Sequence, residues 1–233
     1  MSKLKPFEKM SGLELLVFLL LSMGSGVMVG IGGVSSLIAN SVMGDLGRLV
    51  GATLFSLGIF AIVAYNMKLF TGMVSSIPKM GVKNYWQLPV CFIGNAIGVA
   101  FVALLAYYSP VSEIVKAKSV AIIESKFAFD DWAIRAFCSA ILCGILITVS
   151  VKSRRFVAEK GMSATLGVIF PIIVFAFCGF DHSVANMLYF YYYGELSWRV
   201  VAFVVLAFAG NLVGGVIFPL VSILREYVEK KER

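Results

Sequence analysis

The chain has 233 residues, 60% of them hydrophobic and 14% charged, with a formal charge of +7 and a mean hydropathy of +0.92. A soluble domain carries about 25% charged residues, so this composition excludes an ordinary water-soluble enzyme or binding domain. The basic excess is not a nucleic-acid footprint either, because Lys and Arg sit at the ends of long apolar runs.

Leu15–Gly44 and Leu49–Met67 carry no charge. Both match or exceed the roughly 20 apolar residues that cross a bilayer. Apolar segments follow at 13–41, 49–77, 88–108, 132–151, 163–193 and 198–222. They predict an all-α membrane protein of six transmembrane helices, forming a single domain over 1–233. MSKLKPFEKMSG leads into the first segment with no small-residue cleavage site, which predicts a retained helix and not a signal peptide. The linkers are short and charged except 109–131, which predicts surface turns or a short helix. An even helix count puts both termini on one side. Thirteen of the 20 Lys and Arg fall on that side, among them Lys3, Lys5, Lys9, Arg154, Arg155, Lys160 and Arg233. Six fall on the other side, and Lys68 lies within the second segment. The bias predicts a multi-pass protein of the inner membrane with both termini cytoplasmic.

An internal repeat is visible. The third segment contains Gly94-Asn95-Ala96-Ile97-Gly98 and the sixth Gly210-Asn211-Leu212-Val213-Gly214, on helices predicted to cross in opposite directions. Each follows a segment with a polar, glycine-containing interruption: Asn66-Met67-Lys68-Leu69-Phe70-Thr71-Gly72 in the second, Gly179-Phe180-Asp181-His182-Ser183 in the fifth. Close packing by small residues accounts for each GNxxG alone. The matched order of interruption then GNxxG predicts two inverted three-helix repeats, about 13–108 and 132–222, with a transport site between them.

The interruptions also carry the chemistry. Residues 49–78 would form a helix of about 45 Å, against about 30 Å of hydrocarbon. Lys68 inside that run is expensive unless it faces a cavity or a partner. A lone histidine in an apolar helix is ordinarily a bonded core residue, but His182 stands in the second matched interruption. Imidazole there can offer a hydrogen bond or, when protonated, a charge to an anion. Asn186 lies one turn beyond on the same face. Thr71 supplies a hydroxyl donor, and Gly72 is expected to permit the sharp backbone turn. Cys91, Cys138, Cys143 and Cys178 fall inside apolar runs without a CxxC pair, which predicts buried thiols and not disulfides or metal ligands. With no HExxH, phosphate loop or nucleophile–base pair, no catalytic site, cofactor or metal is expected.

Leu69-Phe70-Thr71-Gly72, Phe170-Pro171, Gly179-Phe180-Asp181-His182-Ser183-Val184-Ala185-Asn186-Met187 and both GNxxG helices resemble the formate/nitrite transporter family, which includes hydrosulfide channels. The resemblance implies an aquaporin-like protomer with broken second and fifth helices, assembled as a homopentamer with one pore per protomer. It implies that Thr71 faces His182 across the pore. It assigns Leu69 and Phe175 to a cytoplasmic constriction, and Phe55, Ile59 and Phe180 to an outer one. It also implies that a small anion pairs with a proton to pass these apolar slits, with His182 the candidate donor.

Three departures from the family pattern stand out: Lys68 where many members are acidic, Met73 where many have asparagine, and Ala128 where an outer lysine aligns. Lys126, two residues earlier, supplies that charge after a loop shift, or Lys68 supplies it from another direction. Otherwise Lys126 is a solvated residue among Glu124, Asp130 and Asp131, and Lys68 pairs with a carboxylate or snorkels to the interface. The expected function is a passive or proton-linked channel for formate or nitrite, embedded in lipid, with hydrosulfide as a same-fold alternative. A membrane enzyme built on Asp181, His182 and a cysteine lacks a catalytic arrangement. A neutral-solute channel of the aquaporin type lacks the NPA motif.

Overall fold

A computed structural model of the protein describes residues 10–160 and 162–232, without the side chains of 154–160 and 164. Lys3, Lys5, Lys9 and Arg233, and the side chains of Arg154, Arg155 and Lys160, therefore lie outside the described residues. The described residues form nine α-helices: α1 (Gly12–Val42), α2 (Gly47–Ala64), α3 (Phe70–Val74), α4 (Gln87–Tyr107), α5 (Ser112–Phe127), α6 (Trp132–Lys160), α7 (Met162–Cys178), α8 (Ala185–Tyr193) and α9 (Trp198–Lys231). Five stretches are long and apolar enough to cross a membrane: Gly12–Val42, Gly44–Ala64, Val82–Tyr107, Trp132–Ser153 and Trp198–Lys231. A shorter apolar helix runs over Thr165–Cys178.

Local chemistry sets where these helices begin. Ser11 caps α1 by accepting the Glu14 N–H at 3.2 Å, while the Glu14 carboxylate accepts the Ser11 N–H at 2.9 Å. That reciprocal box satisfies two of the donors that a helix start leaves open. Ser197 caps α9 through the Val200 N–H. On α4, Ile93, Ile97, Phe101, Leu104 and Leu105 form an exposed apolar stripe at one-turn spacing. Water would drive such a stripe into association, whereas lipid tails solvate it.

Inside the bundle, α1 packs on α4 and α6 on α9, backbone against backbone. A Cβ on Gly98 would sit 2.0 Å from the Met23 carbonyl oxygen, and one on Gly214 would sit 2.0 Å from the Ile141 carbonyl oxygen. The reciprocal contacts are as tight, with a Cβ on Gly26 at 2.0 Å from Asn95 O and one on Gly144 at 2.6 Å from Asn211 O. The GNxxG glycines are thus fixed by interhelical distance, as packing in lipid favours.

The second and fifth apolar runs are not single helices in the described chain. Helix α2 ends at Ala64 and helix resumes at Phe70; α7 ends at Cys178 and helix resumes at Ala185. Both ends close in the same way. The Asn66 N–H donates to Val63 O at 3.3 Å and Met67 N–H to Ile62 O at 3.0 Å; Gly179 N–H donates to Ala176 O at 3.2 Å and Phe180 N–H to Phe175 O at 3.0 Å. Each is a Schellman closure, which needs a left-handed residue. Asn66 (φ 56°) and Gly179 (φ 74°) supply it. The expectation that Gly72 makes the first turn is therefore corrected. Gly72 lies inside α3 without a positive φ, and asparagine tolerates the left-handed region well enough to replace glycine.

The 109–131 stretch contains α5, whose Val115, Ser119 and Ile123 are buried at four-residue spacing. Tyr191 Oη donates to Ala96 O and Tyr192 Oη to Ala103 O, both at 3.1 Å, tying α8 to α4. Cys91 and Cys143 are buried as predicted, but Cys138 and Cys178 are exposed. An apolar run does not distinguish a core-facing position from an outward-facing one, so the burial expectation fails for these two.

The close approaches make a stability prediction. Gly98→Ala and Gly214→Ala should each cost about 2 kcal/mol, since overpacking costs about 1–3 kcal/mol. Gly12→Ala, with nothing within 4 Å of the added atom, should be neutral. Thermal unfolding in detergent micelles checks this, and unchanged midpoints for both buried variants would rule out the tight helix contact.

Candidate functional site

Two asparagines hold the two breaks. Asn95 Nδ2 donates to Lys68 O at 2.8 Å and to Ser22 O at 2.7 Å, while Asn95 Oδ1 accepts the Phe70 N–H at 2.8 Å. Asn211 Nδ2 donates to Asp181 O at 2.9 Å and to Ala140 O at 2.8 Å, while Asn211 Oδ1 accepts the Ser183 N–H at 2.8 Å. Both side chains are fully buried. A carboxamide offers two donors and an acceptor in one plane, which suits it to groups orphaned by a helix break. In this register Lys68 corresponds to Asp181, Leu69 to His182 and Phe70 to Ser183.

The first break is further fixed by rings. Phe70 stacks on Phe208 with centroids 4.3 Å apart and meets Phe92 edge-on at 5.2 Å, seating α3 against α4 and α9. The next residue is Thr71, whose Oγ1 lies 2.9 Å from His182 Nε2. Both side chains are buried. His182 Nδ1 accepts the Ala185 N–H at 3.0 Å. A ring nitrogen that accepts carries no proton, so the neutral imidazole bears its hydrogen on Nε2 and donates it to Thr71. Among the described residues Thr71 Oγ1 has no other partner, which leaves its own hydrogen for an incoming acceptor.

His182 faces a cavity of about 760 Å³. Its rim carries exposed residues, including Arg48, Phe129, Arg135 and Cys178, and its floor is buried, including Phe55, Phe175 and His182. Phe175 stacks on His182 with centroids 5.8 Å apart and meets Phe55 edge-on at 5.5 Å, so the two phenyl rings form an apolar collar over the imidazole. Arg48, Lys118, Lys126 and Arg135 line the cavity, and among the described residues no carboxylate does. Beside the floor, buried Asp181 pairs with Lys126 Nζ, accepts Asn186 Nδ2 at 2.9 Å, and fixes its own N–H on Ser139 Oγ at 3.0 Å. Lys126 Nζ also lies 5.4 Å from the centre of the Phe203 ring. At the rim, Arg135 Nε donates to Asp131 at 2.6 Å, and this bond holds the Asp131 carboxyl below its usual range.

Of the residues singled out in the sequence, His182, Asn186, Lys126, Phe55, Phe175 and Phe180 line this cavity, and Thr71 reaches it through His182. Leu69 and Ile59 are buried and do not line it. Lys68 is half-buried at the other break, outside the lining. Phe175 thus lines this cavity together with Phe55 and Phe180, whereas Leu69 does not. Lys126 sits on a helix with a buried partner and not in a solvated loop. Arg48, Lys118 and Arg135 were missed, as were the bonding roles of Asn95 and Asn211. A signal for one of them existed: Lys118, Ala121, Ile122, Ser125 and Lys126 recur at helical spacing on one face of α5.

A sequence profile described as formate/nitrite transporter matches residues 7–224. The chain belongs to the formate/nitrite transporter family. It is similar to YrhG of Bacillus subtilis (strain 168), an uncharacterized transporter, with 30% identity over 75% of this chain and 70% of that protein. It is also similar to a probable formate transporter of Methanothermobacter thermautotrophicus, with 27% identity over 92% of this chain and 89% of the relative. A solved pentameric formate channel with formate bound shares the fold, with a TM-score of 0.76 at 19% identity, covering 94% of this chain and 100% of that one.

The asparagine clamps set what a mutation at this family member's break should do. Asn211→Ala removes three buried hydrogen bonds worth about 1 kcal/mol each and should destabilise the protein by about 3 kcal/mol. Thermal unfolding of the purified variant tests this, and loss of under about 1 kcal/mol would mean that water or another side chain satisfies the break.

Proposed function

We propose that the protein is a membrane channel for small monovalent anions such as formate or nitrite, with a path from the cationic cavity through the Phe55–Phe175 collar, with Ile59 and Phe180 beside it, to the His182–Thr71 pair and past Leu69. The observation that carries this reading is the hydroxyl–imidazole pair at the floor of a cavity that the described residues line with four cations and no carboxylate, in a chain of this family. A bare anion entering an apolar slit loses its hydration, at several kcal/mol even after relaxation. The anion accepts the Thr71 hydroxyl hydrogen, a bond strengthened by the Nε2–H behind it. Proton assistance runs through the same pair. Nδ1 takes a proton from the cavity as the ring leaves the Ala185 N–H, Nε2 passes its proton to Thr71 Oγ1, and the Thr71 hydroxyl proton goes to the anion. The weak acid then crosses uncharged.

The architecture belonging to this reading is six transmembrane helices in two inverted three-helix repeats, aquaporin-like, with α2–α3 as the broken second helix and α7–α8 as the broken fifth. The matched Schellman closures and asparagine clamps support it. Likeness to a pentameric formate channel supports a homopentamer. The bias of Lys and Arg supports an inner-membrane protein with cytoplasmic termini. In this reading Lys126 stands where the outer lysine is expected, its charge balanced by Asp181, which Asn186 steadies, and Lys68 supplies a positive charge at the opposite break. A family of transporters speaks against a membrane-embedded enzyme. Hydrosulfide would use the same path, and liposome flux with each anion separates it from formate and nitrite.

Reconstituted flux across pH 5–8 tests the mechanism. Thr71→Val should lower formate flux roughly tenfold, the equivalent of one hydrogen bond of about 1.4 kcal/mol. His182→Ala should change the pH dependence while assembly stays intact; identical flux at every pH would remove His182 from the mechanism. Lys68→Glu should reduce anion conductance or alter selectivity, and unchanged currents would return Lys68 to a structural role.

A further inference from the structure

The cavity is far larger than the solute its floor would receive. It holds about 760 Å³, whereas a water molecule's share of liquid is about 30 Å³ and a three-atom carboxylate is of that order. Its four cations are not equivalent. Lys126 is neutralised by buried Asp181, and Arg135 is paired with Asp131. Arg48 donates from Nε to the Phe177 carbonyl and lies 5.3 Å from the Phe177 ring centre, contacts that position its charge without cancelling it. Lys118 forms no ion pair among the described residues. Among the described residues, two uncompensated positive charges therefore face one cavity whose lining contains no carboxylate. A concave wall of one sign concentrates counter-ions of matching valence.

We propose that this vestibule is a binding site for a small dianion of the dicarboxylate class, held between Arg48 and Lys118. The Phe55–Phe175 collar refuses it, because two charges cannot be shed by taking one proton. A bound dianion therefore obstructs the path instead of using it. The obstruction rests on the channel reading above; the binding does not.

Cys178 provides a reporter. It is an exposed free thiol on the lining of the same cavity, whereas exposed Cys138 lies outside it and Cys91 and Cys143 are buried. The full chain in detergent micelles is labelled with a neutral maleimide, in malonate or in acetate or chloride at equal ionic strength. Labelling is followed at each cysteine by peptide mapping. Malonate should slow Cys178 labelling at least fivefold and leave Cys138 unchanged, and acetate and chloride should not protect. Protection should vanish in Lys118→Gln and in Arg48→Gln. The half-buried Lys118 makes no ion pair among the described residues, so its variant keeps the test alive where Arg48→Gln disturbs the end of α7. Equal labelling rates in malonate and chloride would overturn the site, as would equal protection in Lys118→Gln or by acetate. In proteoliposomes malonate should inhibit formate flux in the unaltered protein and lose potency at least tenfold in Lys118→Gln. Cys178 protection without any formate flux would leave the site standing and sink the channel reading. Formate flux without protection would do the reverse.

Discussion

A helix interrupted within hydrocarbon strands N–H and C=O groups where no water can reach them, and each stranded group costs several kcal/mol. In this chain four groups at the two breaks, Lys68 O, Phe70 N–H, Asp181 O and Ser183 N–H, are met by two side chains, Asn95 and Asn211, whose second amide hydrogens reach the Ser22 and Ala140 carbonyls of neighbouring helices. Aspartate would present oxygen to two carbonyls, and serine could not span them. The glycines of each GNxxG belong to the same device. They let α4 approach α1, and α9 approach α6, to the distance at which the carboxamide reaches a carbonyl on the neighbouring helix. Glycine sets the separation and asparagine uses it.

With the backbone fixed this way, the two breaks present the same geometry and different chemistry. Where one clamp holds Lys68 and Leu69, the other holds Asp181 and His182. Asp181 is an expensive group to bury, since an ion pair removed from water seldom recovers its full desolvation cost. Its carboxylate orients Lys126 and Asn186, and its backbone is held by Ser139 and Asn211. Such over-determination rigidifies the segment carrying the imidazole. The Ala185 N–H then selects the ring tautomer, and Phe175 supports one face of the ring.

What could be read from the sequence follows from which features are linear. Apolar runs, paired interruptions and repeated GNxxG are local patterns, and so are the positions of Thr71 and His182 within them. The left-handed turn at Asn66 was obscured because Gly72 stands close by and glycine is the residue usually credited with such turns. Helix α5 was blurred because its charged residues interrupt apolarity, although its buried stripe Val115, Ser119 and Ile123 has helical spacing. The cavity cations come from α2, α5 and α6, so no spacing rule brings them together. Which rings of α7 turn to the cavity, as that of Phe175 does, depends on how the helix ends, a property absent from periodicity. Cys178 shows the same limit, since hydropathy does not tell which face of a helix meets a cavity.

The distribution of compensated and uncompensated charge bears on how the proposed channel would avoid holding its own solute. Conduction needs a site attractive enough to fill and weak enough to empty. A free lysine beside His182 would bind an anion at the narrowest point, where low dielectric strengthens attraction most. The lysine tied beside the floor is instead neutralised by Asp181, whereas Arg48 at the exposed rim keeps its charge. Attraction is therefore concentrated at the wide mouth, where water screens it, and the floor keeps only hydrogen-bond donors of modest strength. In the proposed channel, raising anion concentration and lowering the desolvation barrier would be separate tasks given to separate residues. The cation nearest the imidazole can then hold the break in shape without trapping what passes it.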